Sequence, residues 1–421
     1  MENTEFLKQL NTILGEDGIV PTESLSFPSS WKSSILAAAA PAHVSQLSPL
    51  IMEAAQSGTP LLPIGGGVDI QNGYPPKRGS LLISTKRMNR ILDYQPEDMI
   101  VTCDPGITLA EIQKPLALHN QRIALDPPLP EIATMAGIVS ANRTGFTRGA
   151  YGAPRDQLIG LRAVMADGQE IKGGGKVVKN VAGYDLCKLF TGSWGSLGFL
   201  TELTFKTRVL PETTQLVAWQ TPDLITAIKT GSAFHLAQLS CSAAIATNEL
   251  EGSNYLLSLL EGSASRVAWQ IDAYSSLAAK SGIDASPILM DIENYNSLNN
   301  RIPRLNDSVV MAVKISARPS DILTIIHNLQ HIENLFITVD CATGIIHLAS
   351  NNINDLLPSH LDTILPSTAH SVWSKVDPSY PDIDSVMIWG RLQEDFPLQR
   401  ALKQKLDPDG LFSPGRFIGK L

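Results

Sequence analysis

Residues 173–206, GGGKVVKNVAGYDLCKLFTGSWGSLGFLTELTFK, place seven glycines between apolar runs and end on the alternating segment Phe199 to Phe205. The alternation predicts a strand that closes this part of the chain. Glycine at this density costs backbone entropy, so the fold needs positive φ angles here or a backbone pressed against another group. Two interpretations are open: tight turns between short strands, or main-chain amides arranged around a ligand.

A second glycine cluster, Gly65 to Gly67, follows a predicted helix and the short predicted strand Leu61 to Ile64. Three successive glycines let consecutive amide N–H groups converge on an anion. A nucleoside-triphosphate loop needs Lys and Ser or Thr directly after its glycines, and Val68-Asp69-Ile70 supplies neither. The Rossmann fingerprint spaces its glycines and opens a helix, whereas these glycines are contiguous and run into a turn-rich segment. Neither standard nucleotide loop fits.

Length and composition narrow the class of protein. A chain of 421 residues is too long for one ordinary core, which predicts two or three domains. A hydrophobic content of 43% with 18% charged residues is typical of a globular soluble protein. The net charge of −8 argues against nucleic acid as a partner, because neutralising phosphates needs a basic face. An acidic chain that binds a diphosphate must use backbone N–H groups, in agreement with the glycine clusters.

The N-terminal residues and the cysteines help to predict the cellular compartment of the protein. The first residues include acidic side chains without an unbroken apolar core, which is not typical of a secretory signal. The longest apolar stretch, Ile35 to Ala42, is too short for a membrane span and contains Pro41. We therefore expect a cytoplasmic protein without a direct membrane span, any membrane association being made through a partner. Four scattered cysteines, without a CxxC pair, are predicted to be buried thiols: Cys103, Cys187, Cys241 and Cys341.

The order of several short motifs resembles a known family. The motifs follow the Pro-x-Gly-Gly-Gly loop and are Asp126-Pro127-Pro128, Thr134 to Asn142 (TMAGIVSAN), Tyr151-Gly152, Asp167-Gly168, Val181 to Leu186 (VAGYDL) and Gly192 to Gly198 (GSWGSLG). Together they resemble the FAD-binding domain of the vanillyl-alcohol oxidase (PCMH) type, and within that family the FAD-binding E subunits of glycolate oxidase (glycolate dehydrogenase). The tail Asp407 to Arg416 also matches, although Ser413 stands where the family usually has Asn.

The resemblance implies an α+β fold. A two-lobed PCMH-type FAD-binding domain would be followed by an α+β, ferredoxin-like cap domain. The segment Leu210-Pro211-Glu212 marks the boundary, because strand and helix patterns alternate with fewer glycines beyond it. We predict an N-terminal helix and linker over residues 1–40, the FAD-binding domain over 41–210, the cap over 211–395, and a tail over 396–421 that returns to the FAD-binding domain.

The resemblance also assigns the residues that contact FAD. They are Pro63, Ile64, Gly65, Gly66, Gly67, Val68, Asp69, Pro127, Thr134, Met135, Gly137, Ile138, Ser140, Ala141, Asn142, Gly145, Tyr151, Gly195, Leu197, Gly198 and Phe199. Covalent attachment in this family uses a His, sometimes with a Cys, and neither occurs at the corresponding positions of the first glycine loop and the Tyr-Gly pair. FAD is therefore expected to be non-covalent. For the Pro127 segment, an ordinary loop remains the alternative.

The catalytic residues stay unassigned. Catalytic relatives carry a His-x-Gly-Asp-Gly-Asn-x-His signature in the cap domain, and the corresponding stretch here, Cys341 to His347, retains one histidine. We interpret His347 as a packed residue rather than a catalytic one, and we predict no metal site. Arg143 and Arg148 are either ligands of an anion or solvated loop charges. The basic run of Lys172, Lys176 and Lys179 is either a solvated face or a contact for a partner or substrate anion.

The resemblance implies a function as well. The chain would be the FAD-binding subunit of a multi-subunit enzyme that oxidises glycolate, a small 2-hydroxy acid, to glyoxylate. Its partners would be a homologous catalytic flavoprotein subunit and an iron–sulfur subunit. Two alternatives remain: a stand-alone FAD-dependent 2-hydroxy-acid dehydrogenase, in which Arg143 or Arg148 holds the substrate carboxylate, and a non-enzymatic scaffold whose flavin site has decayed.

Overall fold

The computed structural model describes residues 2–176, 183–250, 252–284, 286–301, 309–377, 380 and 387–421. The chain divides into two compact units. Unit 1 comprises Met1–Thr144, Ala153–Leu210 and Leu392–Leu421, and unit 2 comprises Gly145–Gly152 and Pro211–Arg391. These limits differ from the predicted ones in two ways. Residues before 41 belong to unit 1, and the loop Gly145–Gly152 belongs to unit 2. Lys179, Val181 and Ala182, which the sequence singled out, lie outside the described residues.

The first sheet of unit 1 has four strands in the order β1-β2-β4-β3, and only the β1–β2 pair is antiparallel. The predicted amphipathic N-terminal helix is confirmed, because Phe6 and Leu10 are buried against the second helix. The predicted linker was wrong over Ile35–Ala39, which forms a strand; alanine has low strand propensity, and only burial between neighbouring strands selects it here. In chain order these elements are α1 (Glu2–Leu14), β1 (Ile19–Val20), β2 (Ile35–Ala39), α2 (Leu47–Ser57), β3 (Leu61–Ile64) and β4 (Ser80–Ser84).

The second sheet of unit 1 is antiparallel, with five strands in the order β5-β6-β10-β8-β9. Its edge strand, Ile91–Gln95, pairs with the following strand. Thr108 is the N-cap of the helix α3, because its Oγ1 accepts a hydrogen bond from Glu111 N at 3.2 Å. The elements are β5 (Ile91–Gln95), β6 (Ile100–Cys103), α3 (Leu109–Ala117), β7 (Gln121–Arg122), α4 (Met135–Ala141), α5 (Arg148–Tyr151, in unit 2), α6 (Pro154–Gln157), β8 (Leu158–Val164), β9 (Glu170–Gly174), α7 (Leu186–Phe190), β10 (Phe199–Lys206) and β11 (Arg208–Val209).

Unit 2 is built on one antiparallel sheet of eight strands, in the order β15-β12-β14-β13-β17-β18-β16-β19. Its elements are β12 (Thr213–Thr221), α8 (Leu224–Leu236), β13 (Ala243–Leu250), β14 (Ser253–Gly262), α9 (Ala264–Lys280), β15 (Ile288–Met290), α10 (Ile292–Arg301), β16 (Met311–Ser316), α11 (Ile322–Leu329), β17 (Leu335–Asp340), β18 (Ile345–Ser350), α12 (Pro358–Ile364) and β19 (His370–Val376).

The order of these strands contains the ferredoxin-like pattern twice. Each half runs strand, helix, strand, strand, helix, strand, and its four strands are ordered fourth, first, third, second. The halves join where β13 pairs with β17. The predicted ferredoxin-like cap is thus duplicated. Buried aromatic rings hold the first half together, with ring centroids 5.2 Å apart for Trp219 and Phe234 and 4.4 Å apart for Phe234 and Tyr274.

The C-terminal segment Leu392–Leu421 belongs to unit 1. Helix α13 (Phe396–Leu406) is followed by a bridge between Phe412 and Leu61 of β3. Within the described ranges, no helix combines the length and the apolar character that crossing a membrane requires.

His370 on β19 makes the stability of unit 2 sensitive to acid. Burial, with Lys314 nearby, holds the pKa of His370 below the ordinary value of 6.5. The folded state therefore favours the neutral ring, and as pH falls below about 6.5 the unfolded chain binds a proton that the folded chain resists. We expect the melting temperature to fall between about pH 7.5 and pH 5.5, and to fall less in His370→Asn. His331→Asn, at an exposed position, is the control; an equal loss in all three proteins contradicts the assignment.

Candidate functional site

Unit 1 contains an open cleft with about 870 Å³ of empty volume. Small residues and main chain from separate segments form much of its wall, which suits close approach to a ligand backbone or ring system. The lining residues are Pro63, Ile64, Gly65, Gly66, Gly67, Val68, Asp69, Ile70, Thr85, Pro128, Ala133, Thr134, Ala136, Gly137, Ile138, Ser140, Ala141, Arg143, Trp194, Gly195, Gly198, Phe199, Leu200 and Arg416.

The Gly65–Gly67 loop packs so tightly against its neighbours that side chains are excluded. A Cβ at Gly65 would lie 2.1 Å from Thr134 Oγ1, and one at Gly66 would lie 1.6 Å from the carbonyl oxygen of Ile132. Gly67 has a φ of 80°, where a side chain is strained. Thr134 caps α4 by accepting a hydrogen bond from Gly137 N at 3.3 Å. The loop is thus held against the start of α4, with its amides available to the cleft.

The late glycines of the 173–206 stretch reach the same cleft. Gly195 has a φ of 66°, and a Cβ there would lie 3.4 Å from the ring of Pro63. A Cβ at Gly198 would lie 2.9 Å from the carbonyl oxygen of Val164. The early glycines do not line it: Gly173 and Gly174 belong to strand β9. The structure therefore brings two separated glycine clusters together. Among the other described residues of the stretch are those of the helix α7 and the strands β9 and β10.

Three buried polar atoms at the cleft or beside it have no hydrogen-bond partner in the described part of the chain: Thr85 Oγ1, Asn142 Oδ1 and Arg143 Nε. The Arg143 guanidinium also forms an ion pair with Asp69, with 3.0 Å between Nη2 and Oδ1. Buried polar groups in proteins are nearly always paired. A polar ligand in the cleft would supply the partners that these atoms lack.

Arg416 is a lining residue that the sequence analysis did not assign. Its Nε donates to the carbonyl oxygen of Tyr74 at 2.9 Å, and its Nη2 donates to those of Ile70 and Asn72 at 2.6 and 3.0 Å. The guanidinium also lies 4.5 Å from the ring centroid of Trp31. Burial lowers the pKa of Arg416 to about 10, so the side chain is charged at neutral pH. The signal was present, since Arg416 ends the tail motif that resembles the family.

Most of the predicted cofactor residues line the cleft, and six do not. The cleft is lined by Pro128 and not by Pro127. Two successive prolines in an extended segment present their rings to different sides. Met135 and Leu197 are buried in the apolar core behind the wall, and Asn142 ends α4 in a left-handed conformation with a φ of 48°. Gly145 and Tyr151 belong to unit 2, because the loop that carries them packs with that unit.

Unit 2 contains its own cleft, with an empty volume of about 1280 Å³. Tyr151 lies there and donates its hydroxyl hydrogen to Glu261 Oε2 at 2.7 Å, with Ser242 Oγ 3.3 Å away. His347 is half-buried on β18 and meets Phe146 edge to face, with ring centroids 6.3 Å apart. His347 is thus packed at one side of the sheet rather than enclosed in the core. In the described ranges, no three His, Cys, Asp or Glu side chains converge as a metal site.

The cysteines are packed thiols, as predicted, with Cys241 half-buried and the other three buried. Burial raises the pKa of the Cys187 thiol to about 11 and raises the pKa of the other three thiols as well. Thiols with raised pKa values are poor nucleophiles. Chemistry at these residues is therefore not indicated.

Comparison with known proteins supports the interpretation of this cleft as a cofactor site. Residues 35–174 match the family model described as FAD binding domain. Glycolate oxidase subunit GlcD of Bacillus subtilis is 35% identical over 174 residues, covering 41% of this chain and 37% of that protein. Glycolate oxidase subunit GlcE of Escherichia coli is 35% identical over 162 residues, covering 38% and 45%. D-lactate dehydrogenase of Archaeoglobus fulgidus is 31% identical over 168 residues, covering 39% and 37%. The matches span less than half the length of each relative.

Solved structures are similar over nearly the whole chain. p-Cresol methylhydroxylase with substrate bound has a TM-score of 0.78 at 15% identity, covering 99% of this chain and 96% of that one. Alkyldihydroxyacetonephosphate synthase has a TM-score of 0.74 at 15% identity, covering 98% and 86%. Structural similarity at such low sequence identity shows the fold alone. This similarity confirms the predicted α+β fold. Residues 35–174 are an FAD-binding domain, and FAD is its cofactor.

Proposed function

We propose that this chain is the FAD-binding subunit of a multi-subunit glycolate dehydrogenase. In such an assembly glycolate is oxidised to glyoxylate together with a catalytic flavoprotein subunit and an iron–sulfur subunit. The observation that carries the proposal is the cleft of unit 1, where Gly65–Gly67 and Gly195 to Gly198 face one space. The similarity to two glycolate oxidase subunits supports the substrate class and the multi-subunit assembly.

The residues of the cleft fit FAD in their chemistry. Amides of the Gly65–Gly67 loop would hold the diphosphate. Thr85 and Arg143 would hydrogen-bond the ligand through atoms that lack partners among the described residues. Bound FAD supplies a two-electron acceptor. Among the described residues that line the cleft, none is His or Cys, which supports non-covalent binding. Asp69 is the only acidic side chain among the described residues that line the cleft, and it is engaged by Arg143. We therefore assign the substrate chemistry to the partner flavoprotein.

The main alternative is a stand-alone FAD-dependent 2-hydroxy-acid dehydrogenase. The similarity to a D-lactate dehydrogenase favours it. Against it, Arg143 is engaged by Asp69, an ion pair in which the two side chains are only 14% and 12% exposed, and a substrate carboxylate would have to compete with that partner. Arg148 lies on α5 of unit 2 and remains available to this alternative. The tight glycine contacts count against a scaffold with a decayed flavin site.

Experiments on the purified chain distinguish the FAD-binding subunit from the stand-alone dehydrogenase and the scaffold. We expect a yellow protein that releases FAD on denaturation and is not bleached by glycolate under anaerobic conditions. Adding the catalytic flavoprotein and the iron–sulfur subunit should then give glycolate-dependent reduction of an artificial dye. The control omits this chain from the mixture, and dye reduction should fall.

Each other result has a definite meaning. Bleaching of the isolated chain by glycolate or D-lactate supports the stand-alone dehydrogenase and overturns the subunit proposal. A colourless protein that takes up no FAD supports the scaffold. Dye reduction that does not depend on this chain removes it from the reaction.

A further inference from the structure

Trp194 has a backbone conformation that large side chains rarely adopt. Its φ is 54°, in the left-handed region. For a bulky residue this conformation is an outlier, and such outliers persist where the surrounding structure imposes them, often at ligand sites. The Trp194 N–H donates to the carbonyl oxygen of Ser140 in α4 at 2.9 Å, and Gly195 follows with a φ of 66°. The Trp194 backbone is therefore held by a hydrogen bond to α4 and is followed by a second residue with a positive φ.

The side chain has no role in the apolar cores that would explain the conformation. Trp194 is half-buried and lines the FAD cleft. It is not a member of the apolar clusters formed by the described residues of unit 1. By contrast Phe190, four residues earlier, is fully buried in the core. An aromatic residue that lines a ligand cleft outside the core can offer a flat surface to another ring.

We propose that Trp194 stacks on one of the two aromatic ring systems of FAD and positions the cofactor through that contact. The inference rests on the proposed FAD site and not on the proposed substrate or partners. Stacking needs only a π face, so it applies equally to adenine and to isoalloxazine. The left-handed backbone would be retained because it aims the ring at the cleft.

Two substitutions at Trp194 and one elsewhere test the proposal in the full chain. Asn is enriched among non-glycine residues with positive φ, so Trp194→Asn removes the ring with little risk to folding. Trp194→Phe keeps an aromatic face. Trp269→Phe is the matched control, because that tryptophan is 56% exposed on α9 of unit 2. The measurements are the apo melting temperature and the affinities for FAD, FMN and ADP.

We expect Trp194→Asn to weaken FAD binding by about ten- to a hundredfold, the range measured for loss of one base-stacking aromatic, and Trp194→Phe to weaken it by less than about tenfold. FAD should also quench less of the tryptophan emission in Trp194→Phe than in the parent or the control. If FMN affinity falls with FAD affinity, the partner is isoalloxazine; if ADP affinity falls, the partner is adenine.

Unchanged FAD affinity in a folded Trp194→Asn overturns the stacking inference while leaving the FAD site in place. If the Asn variant fails to fold, the quenching comparison decides, and equal quenching in parent and Trp194→Phe overturns the inference. A parent protein that does not bind FAD removes the proposed site itself, a result distinct from both.

Discussion

The Gly66→Ala variant should bind FAD far more weakly than the parent protein. The added Cβ would lie 1.6 Å from the carbonyl oxygen of Ile132 and 2.7 Å from its carbon. Both atoms are backbone, so the clash cannot be relieved by turning a side chain, and the glycine loop must move away from the segment before α4. Overpacking of this kind costs about 1–3 kcal/mol or more. If that cost appears in the bound conformation, it corresponds to about ten- to a hundredfold in affinity.

Gly175→Ala is the matched control for this variant. Gly175 also belongs to a run of three glycines, Gly173 to Gly175, but a Cβ there meets nothing within 4 Å. Titration of each apoprotein with FAD, followed by flavin fluorescence, compares the two, and apo melting temperatures separate lost folding from lost binding. Equal FAD affinity in both variants would show that the loop does not hold the cofactor.

The sequence predicted that Gly65–Gly67 needed glycine, but the reason was only partly accessible. Motif elimination and resemblance indicated a diphosphate loop. The structure adds that the neighbours excluding a side chain are Thr134 Oγ1 and the Ile132 carbonyl, both nearly 70 residues away in sequence. Long-range packing of this kind leaves no local pattern, because neither partner residue is unusual in its own segment. Thr134 was expected to contact the ligand, and in the structure it also caps α4.

The errors share a physical cause. Ile35–Ala39 was missed because alanine favours strands only when burial on both sides selects it. The predicted domain limits also missed that the loop of Gly145 and Tyr151 packs with unit 2, and the contact of these two residues with FAD stays a prediction. The duplication of the ferredoxin-like pattern was missed because it lies in strand order, which single segments do not encode. The strand Leu61–Ile64, in contrast, was predicted from its own segment.

A second large effect is expected at the buried ion pair of the C-terminal tail. Lys403 on α13 pairs with Asp407, with side chains that are 8% and 0% exposed. The Lys403 ammonium also donates to the carbonyl oxygens of Ser196 at 2.6 Å and Phe412 at 2.8 Å. Ser196 follows Gly195, so the ammonium connects the tail to the segment Gly195 to Gly198 that lines the cleft. Burial lowers the pKa of Lys403 while Asp407 opposes that shift, as expected for a charge held inside the protein by its partner.

We expect Lys403→Met to destabilise unit 1 strongly and to weaken FAD binding. Removing one member of a buried pair leaves the other charge uncompensated, which costs about 3–5 kcal/mol. For a unit of this size each kcal/mol lowers the melting temperature by about 2–4 °C, so a fall of roughly 6–20 °C is expected. Lys405→Met is the matched control, because Lys405 lies on the same helix and is exposed. Thermal melts of the apoproteins and FAD titrations provide the two measurements.

The double variant Lys403→Met/Asp407→Asn tests whether the uncompensated charge is the cause. Asp407 also accepts hydrogen bonds from Leu411 N and Phe412 N, both at 2.8 Å, and an Asn oxygen can retain one of them. If the stranded carboxylate dominates the loss, the double variant should melt above Lys403→Met, since no buried charge remains. The Asp407→Asn single variant completes the comparison. If the melting temperature of the double variant falls by the sum of the falls in Lys403→Met and Asp407→Asn, the two residues act independently. The tail would then be held by its backbone bonds and apolar contacts rather than by the ion pair.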